Sequence, residues 1–368
     1  MAHELQTRYS DLVLAKLRSE LVLGDGTVFN NDYEGDPISG AVKIPVRDTE
    51  VAVSDYDKAN GISATTGSTS YTTLVLDKDK AINELIDGYD AASVPDNLVA
   101  DRLDSAGYSL AKQIDTDGAT TLLAGSTVTN VEALTSVNIY STIVNIRTAM
   151  SKANVPNDGK RYLLVTPDTL ALLLNCPEFV RATTLGDETV QTGFVGKIAG
   201  FRVFEWNDTT ANLAMIAGHP RFATRVHEWS VGVKVQDLSG SGKYIGAAAV
   251  QGRRIYGHKV LRSVAIRSVY APGSLTVTLA AATGDSSTGK TVATVTAGNT
   301  GTTYAYKKNP SARATYDETS SAYAGTSLTS GTTAIEVSEG DVLEIVNLSS
   351  SKVKAVAYVT VTAADIAS

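Results

Sequence analysis

The chain has 368 residues, 43% of them hydrophobic and 19% charged, enough for two or three domains and too apolar for wholesale disorder. Its one cysteine, Cys176, cannot close a disulfide within the chain, no apolar run approaches the ~20 residues of a helical membrane span, and the N-terminus lacks a signal pattern. Disulfide-stapled secreted scaffolds and helical membrane proteins are therefore excluded, and a reducing cytoplasm fits. Thirty-nine acidic residues against 32 basic ones give a net charge of -7, an average field that repels a polyanion and disfavours sequence-specific DNA binding. The local basic strip, Arg253, Arg254, Lys259, Arg262 and Arg267, reads as subunit contacts or a solvated face.

Tyr9 to Leu23 reads as an amphipathic helix with Leu12, Val13, Leu17 and Leu21 on one face, ended by Gly24-Asp25-Gly26. An isolated helix of this length is marginal, so it needs a surface to dock on. Ala41 to Val46 reads as a strand. From Arg47 to Thr73 the chain is polar, with Tyr56, Ile62 and Tyr71 as its few large apolar residues. Alternation at Tyr71, Thr73 and Val75 closes this stretch as a long hairpin, which cannot stand alone and calls for a neighbouring molecule or domain.

A long helix is expected from about Pro95 to Ala124. Ser93 is placed to cap it, and Val99, Leu103, Ala106, Leu110 and Ile114 form one buried stripe. Gly107 and Gly118 weaken it locally, and Gly125 stops it. A second helix, Ser136 to Ala153, buries Ile139, Ile143, Ile146 and Met150. Turn chemistry over residues 154–159 leads to a strand at Arg161 to Val165, and Thr166-Pro167 starts a short helix through Leu174. Gly193, Gly196 and Gly200 mark turns before a strand at Phe201 to Phe204, with further strands at Val231 to Val235 and Ile255 to Tyr270. Helices and strands mix without regular alternation, which argues for an α+β class. Beyond Ala271-Pro272-Gly273 the composition turns to Ser, Thr, Ala and Gly. Alternation at Leu275-Val277-Leu279, Val342 to Val346 and Val353 to Val361 predicts a small immunoglobulin-like β-sandwich over 274–368.

Gly284, Gly289, Lys290 and Thr291 match the spacing of a phosphate-binding loop, in which backbone N–H groups cradle phosphates. That mechanism needs a helix directly after the loop. Val292-Ala293-Thr294-Val295-Thr296 is instead β-branched, so the stretch reads as a hairpin turn, and an ATP-binding enzyme is the remote alternative. His3, His219, His227 and His258 show no metal-ligand spacing with one another or with Cys176, which reads as a buried thiol. Lys243 lies in a glycine-rich loop that signals nothing specific. No catalytic, cofactor or metal residues emerge, and the chain reads as a non-enzyme.

Several segments in order resemble the major capsid proteins of tailed bacteriophages, the Hong Kong 97-type fold. They are Asn154-Val155-Pro156 with Gly159-Lys160-Arg161, the run from Gly193 to Val203, and Leu110-Ala111-Lys112-Gln113-Ile114-Asp115 near the end of the long helix. The resemblance covers residues 1–272. It implies an N-arm to about 26, an E-loop within 47–73, a spine helix over 95–124, an A domain over about 130–250 and returning P-domain strands to 270. The sandwich at 274–368 lies outside that pattern; by analogy it faces outward and contacts glycans or decoration proteins. The resemblance further implies a shell subunit of hexamers and pentamers, with scaffolding and portal partners, enclosing double-stranded DNA in the virion after assembly in the host cytoplasm. An encapsulin-like compartment shell is the alternative. Arg47, Asp55, Asp57 and Lys58 are the candidate assembly contacts in the E-loop. Lys58 is also a conceivable donor for the lysine–asparagine crosslink of some relatives, although an ordinary solvated lysine is the favoured reading.

Overall fold

The computed structural model describes residues 16, 18–34, 40–46, 50–51, 53–62, 66–67, 69–93, 98–177, 196–284, 286–298 and 303–367. Contacts group the chain into two compact units, Met1–Gly125 with His219–Ser263, and Ser126–Gly218 with Val264–Ser368. The class is α+β, as expected.

In the first unit β1 (Ala41–Val46) pairs antiparallel with β2 (Ser70–Val75), Val46 opposite Ser70, so the polar stretch does close as a hairpin. Ile44 and Leu74 anchor its base beside Val226. Then comes β3 (Lys78–Ile86), a strand absent from the sequence-based expectations because Lys78, Lys80 and Glu84 occupy half-buried positions where apolar residues would mark a strand. A short helix, α1 (Gly88–Ser93), precedes α2 (Leu98–Gly125), whose 28 residues span about 42 Å. Pro95 and Asp96 lie outside the described residues. The expected stripe is buried: Ala106, Leu110 and Ile114 are each at most 5% exposed, and Val99 and Leu103 pack beside Ile86 and Val250.

Gly118 in α2 is a packing device. A Cβ there would lie 3.0 Å from the Phe29 ring and 3.3 Å from His258 Nε2.

The second unit starts with β4 (Thr127–Asn130), α3 (Ile139–Lys152), β5 (Tyr162–Val165), α4 (Pro167–Leu174), β6 (Lys197–Ile198), β7 (Phe201–Glu205) and β8 (Leu213–Gly218). Ile139, Ile143, Ile146 and Met150 are the buried stripe of α3, as their spacing requires. Every residue of β5 and of β8 is buried, and such strands read as unbroken apolar runs rather than alternations. Cys176 is buried just beyond α4.

The chain then returns to the first unit with β9 (Ala223–Asp237) and β10 (Ala248–Val260), which join β3 in the order β3-β10-β9. The expected single strand from Ile255 to Tyr270 is in fact two. A one-turn 3-10 helix, Ser263–Ala265, separates β10 from β11 (Arg267–Tyr270), which lies in a different sheet, ordered β4-β11-β8-β5-β7-β6. The expected 130–250 segment is likewise cut at Gly218, because β9 and β10 pair with β3.

Beyond residue 272 the chain forms β12 (Gly273–Ser274), β13 (Thr276–Ala281), β14 (Lys290–Ala297), β15 (Thr303–Lys308), the one-turn α5 (Ser320–Tyr323), β16 (Thr326–Leu328), β17 (Ala334–Glu336), β18 (Val342–Ser349) and β19 (Lys352–Thr360). Two sheets result, β12-β19-β18-β15-β16 and β13-β14-β17. Ala293 and Ile335 of the smaller sheet share a core with Tyr304, Leu343 and Ile345 of the larger. In chain order this puts the first, second and fifth main strands on the smaller sheet and the third, fourth, sixth and seventh on the larger, a two-sheet β sandwich. The outer face of the larger sheet is covered as well, with Ala314 and Tyr323 packed on Ala305, Val346 and Val356. Tyr270 and Tyr316 stack with centroids 5.6 Å apart, and the Tyr316 N–H donates to the Val131 carbonyl at 3.0 Å. The sandwich is thus docked on the β4 edge of its own unit.

The phosphate-loop spacing falls on the turn between β13 and β14. Lys290 opens a strand, and the buried Thr291 hydroxyl donates to the Ala280 carbonyl at 3.0 Å. Strand geometry here replaces the helix N-terminus that phosphate binding needs.

Candidate assembly interface

Two of the segments that carry the resemblance meet in space. Asn154 adopts φ 58° and Gly159 φ 77°, turning the chain sharply after α3. Arg161, 1% exposed, folds back on that turn: Nε donates to the Pro156 carbonyl at 2.8 Å and Nη2 to the Val155 carbonyl at 2.5 Å. Burial pulls the pKa of Arg161 below its ordinary value. The second segment forms the β6–β7 hairpin, whose two-residue turn, Ala199 (φ 46°) and Gly200 (φ 86°), has the double positive φ of a type I′ turn. Arg202 then donates through Nε to the Gly159 carbonyl at 3.1 Å, while its backbone N–H bonds the Arg161 carbonyl at 2.8 Å. These signature residues hold the β5 end of the six-stranded sheet in shape. Gly193 lies outside the described residues.

The N-terminal segment departs from expectation. Of the expected helix, residues 9–15 and Leu17 lie outside the described residues, and Arg18 to Gly24 is irregular rather than helical. Side-chain pairing with α2 explains why. Lys16 Nζ lies 2.7 Å from Asp101, Arg18 Nη2 lies 2.6 Å from Asp104 and over the Tyr108 ring at 4.9 Å, and the Leu23 N–H reaches Asp115 at 3.3 Å. An irregular strand can match successive turns of a helix in this way and then bury Leu23, Val28 and Phe29 completely.

A charged knot fixes the end of this segment. Arg225 of β9, 5% exposed, donates Nε to His258 Nε2 at 2.9 Å and Nη2 to the Leu23 carbonyl at 2.8 Å, and it sits over the Phe29 ring at 4.9 Å. Its guanidinium also lies 3.3 Å from Asp25 and 3.4 Å from Asp115. Burial, reinforced by the Arg225 charge, holds His258 down to about 3, so its imidazole is neutral and Nε2 accepts. Asp25 is held below the usual carboxylate range by its hydrogen bond to His227 and then by Arg225, whereas burial raises Asp115. Sequence reasoning tested the histidines only for metal-ligand spacing and missed this cluster, in which Arg225 bonds partners up to 202 positions away.

Of the candidate contacts, Arg47 lies outside the described residues, as does His3. Asp55, Asp57 and Lys58 are exposed. Asp57 shapes the loop tip: its carboxylate accepts from the Ala59 N–H at 2.8 Å and from Asn60 Nδ2 at 2.6 Å, bonds that hold its pKa low. Around it Val51, Val53, Tyr56 and Ile62 are 86%, 97%, 72% and 54% exposed. The basic strip does not stay together, for Arg253 is paired with Asp79 across β10 and β3, and Arg267 belongs to the other unit.

A family profile described as phage capsid protein matches residues 85–274, just over half of the chain. The chain belongs to the phage capsid protein family. As such it is a structural protein, the major capsid subunit of the virion head shell, with copies of itself as partners. Its fold is the Hong Kong 97-type, similar to solved structures from Mycobacterium phage Che8 (24% identity, 72% of this chain and 96% of that chain, TM-score 0.61) and from the capsid of cyanophage P-SCSP1u (14%, 73% and 93%, 0.62). The mature capsid of bacteriophage PhiM1 is also similar (14%, 73% and 92%, 0.58). A search of curated protein sequences returned no match. The family match ends at residue 274, where the sandwich of this capsid protein begins.

Proposed function

We propose that this capsid protein closes its shell through the hairpin at 41–75, the E-loop, laid on a neighbouring copy, and that it performs no chemistry of its own. The observation that carries this reading is the exposure of Val51, Val53, Tyr56 and Ile62 on a loop that the described residues of its own subunit leave uncovered. Covering four such side chains contributes on the order of 6 kcal/mol per subunit, enough to drive a repeated contact in a lattice. Asp55 and Lys58 lie within this apolar set, either side of Tyr56, and set its register on the neighbour, while Asp57 keeps the tip in shape. Residues 1–272 form the shell-building part. Residues 274–368 form an accessory sandwich that faces outward, toward decoration proteins or glycans. Scaffolding and portal proteins complete the head, and the shell holds double-stranded DNA without reading its sequence, in keeping with a net charge of -7.

The test is assembly of Val53→Asp/Tyr56→Ser subunits, co-expressed with scaffolding protein and viewed by negative-stain microscopy. Wild-type shells and stable but unassembled variant subunits are expected. Normal shells from the double variant would overturn the E-loop reading.

A further inference from the structure

A cleft of about 470 Å³ opens between α3 and the sandwich loop that carries Arg313. Val131, Ile146 and Ala149 supply an apolar wall, and Arg267, Arg313 and Glu132 supply the charge. Arg267 is incompletely satisfied: Nη1 reaches Thr129 Oγ1 only at 3.4 Å, and Nε is buried with no hydrogen-bond partner. A buried donor left in this state costs about 1–3 kcal/mol, more when the group is charged. The Arg313 guanidinium carbon lies 4.8 Å from the centroid of the Tyr358 ring, a cation–π contact that holds the group at the cleft. The carboxylate in the lining is Glu132, whose Oε2 is 4.0 Å from Arg313 Nε while Oε1 accepts from Asn138 Nδ2 at 3.0 Å. Among the residues that line the cleft, two guanidinium groups stand against this one carboxylate.

We propose that this cleft binds a small organic carboxylate, with its oxygens on Arg267 and its apolar body against Val131, Ile146 and Ala149. The guanidinium edge matches a carboxylate in shape and offers the paired donors such a group accepts. The excess of one cation among the lining residues suits a monoanion, and the apolar wall favours a molecule with a hydrocarbon part over inorganic phosphate. The ligand would bridge the six-stranded sheet unit and the sandwich docked on it, a role separate from the E-loop contact.

The experiment titrates full-length unassembled subunits with benzoate, read by ligand-observed NMR, with acetate and inorganic phosphate as further arms. Saturable binding at one site is expected, with acetate at least ~10-fold weaker and no displacement by phosphate. R267Q should weaken benzoate by at least ~10-fold. A149L narrows the cleft while leaving both arginines in the chain and should do the same, which keeps the test decisive if R267Q folds poorly. Non-saturable uptake, wild-type affinity in A149L, or displacement of benzoate by phosphate would overturn the proposal.

Discussion

His258 offers a direct measurement of what the Arg225 knot contributes. The residue is 9% exposed, its Nε2 accepts from Arg225 Nε at 2.9 Å, and its pKa is held down to about 3 from an ordinary 6.5. With a folded pKa below the unfolded one, the folded state binds fewer protons in between. Stability is therefore complete above pH 6.5 and is lost as pH falls toward the folded value, by about 1.4 kcal/mol per pH unit. From pH 7 to pH 5 the loss is about 2 kcal/mol. Asp25 adds a loss only below its ordinary 3.8, and Asp115, raised by burial, acts in the opposite sense. His258→Gln retains an acceptor for Arg225 but cannot titrate. Denaturant unfolding of unassembled subunits at pH 7 and pH 5, followed by circular dichroism, should show wild type weakening by about 2 kcal/mol more than H258Q. An equal pH dependence in the two proteins would refute the claim that this imidazole is buried neutral beneath the guanidinium.

Two further substitutions probe packing and charge. Gly125→Ala ought to help a helix by propensity, yet its Cβ would lie 2.6 Å from that of Val260, so G125A should destabilise by about 1–3 kcal/mol, with partial recovery in G125A/V260A, both read as denaturation midpoints. In the sandwich, Asp317 takes Lys352 at 2.7 Å and also Lys354, and hydrogen bonds from these lysines hold its pKa low. Its contribution is present above the ordinary 3.8 and fades as pH falls through the folded value, so D317N should cost roughly 1 kcal/mol at pH 7 and almost nothing at pH 2.5 in the same assay.

Locally encoded features were legible in the sequence. Ile139, Ile143, Ile146 and Met150 announce the buried face of α3, Ala106, Leu110 and Ile114 that of α2, and Gly200 the turn before β7. The ends of the polar loop that carries Tyr56 and Ile62 pair as a hairpin, and the compositional change at 271–273 coincides with the start of the all-β strands. Of the candidate contacts, Asp57 gained a specific local task at the loop tip, because a carboxylate can serve its own backbone two residues on.

Tertiary structure alone decided the rest. Arg18 to Gly24 has helical spacing, but the ladder of Asp101, Asp104 and Asp115 holds it in an irregular path, a pairing that no periodicity reports. The residues from 255 to 270 look like one strand and divide between two sheets, since β-propensity says where a strand can form and not which partner it finds. Arg225 meets Asp115 across 110 positions and Asp25 across 200. Burying that charge is tolerable only once the fold supplies all of its partners together, so its importance is a property of the folded chain and not of any segment of it.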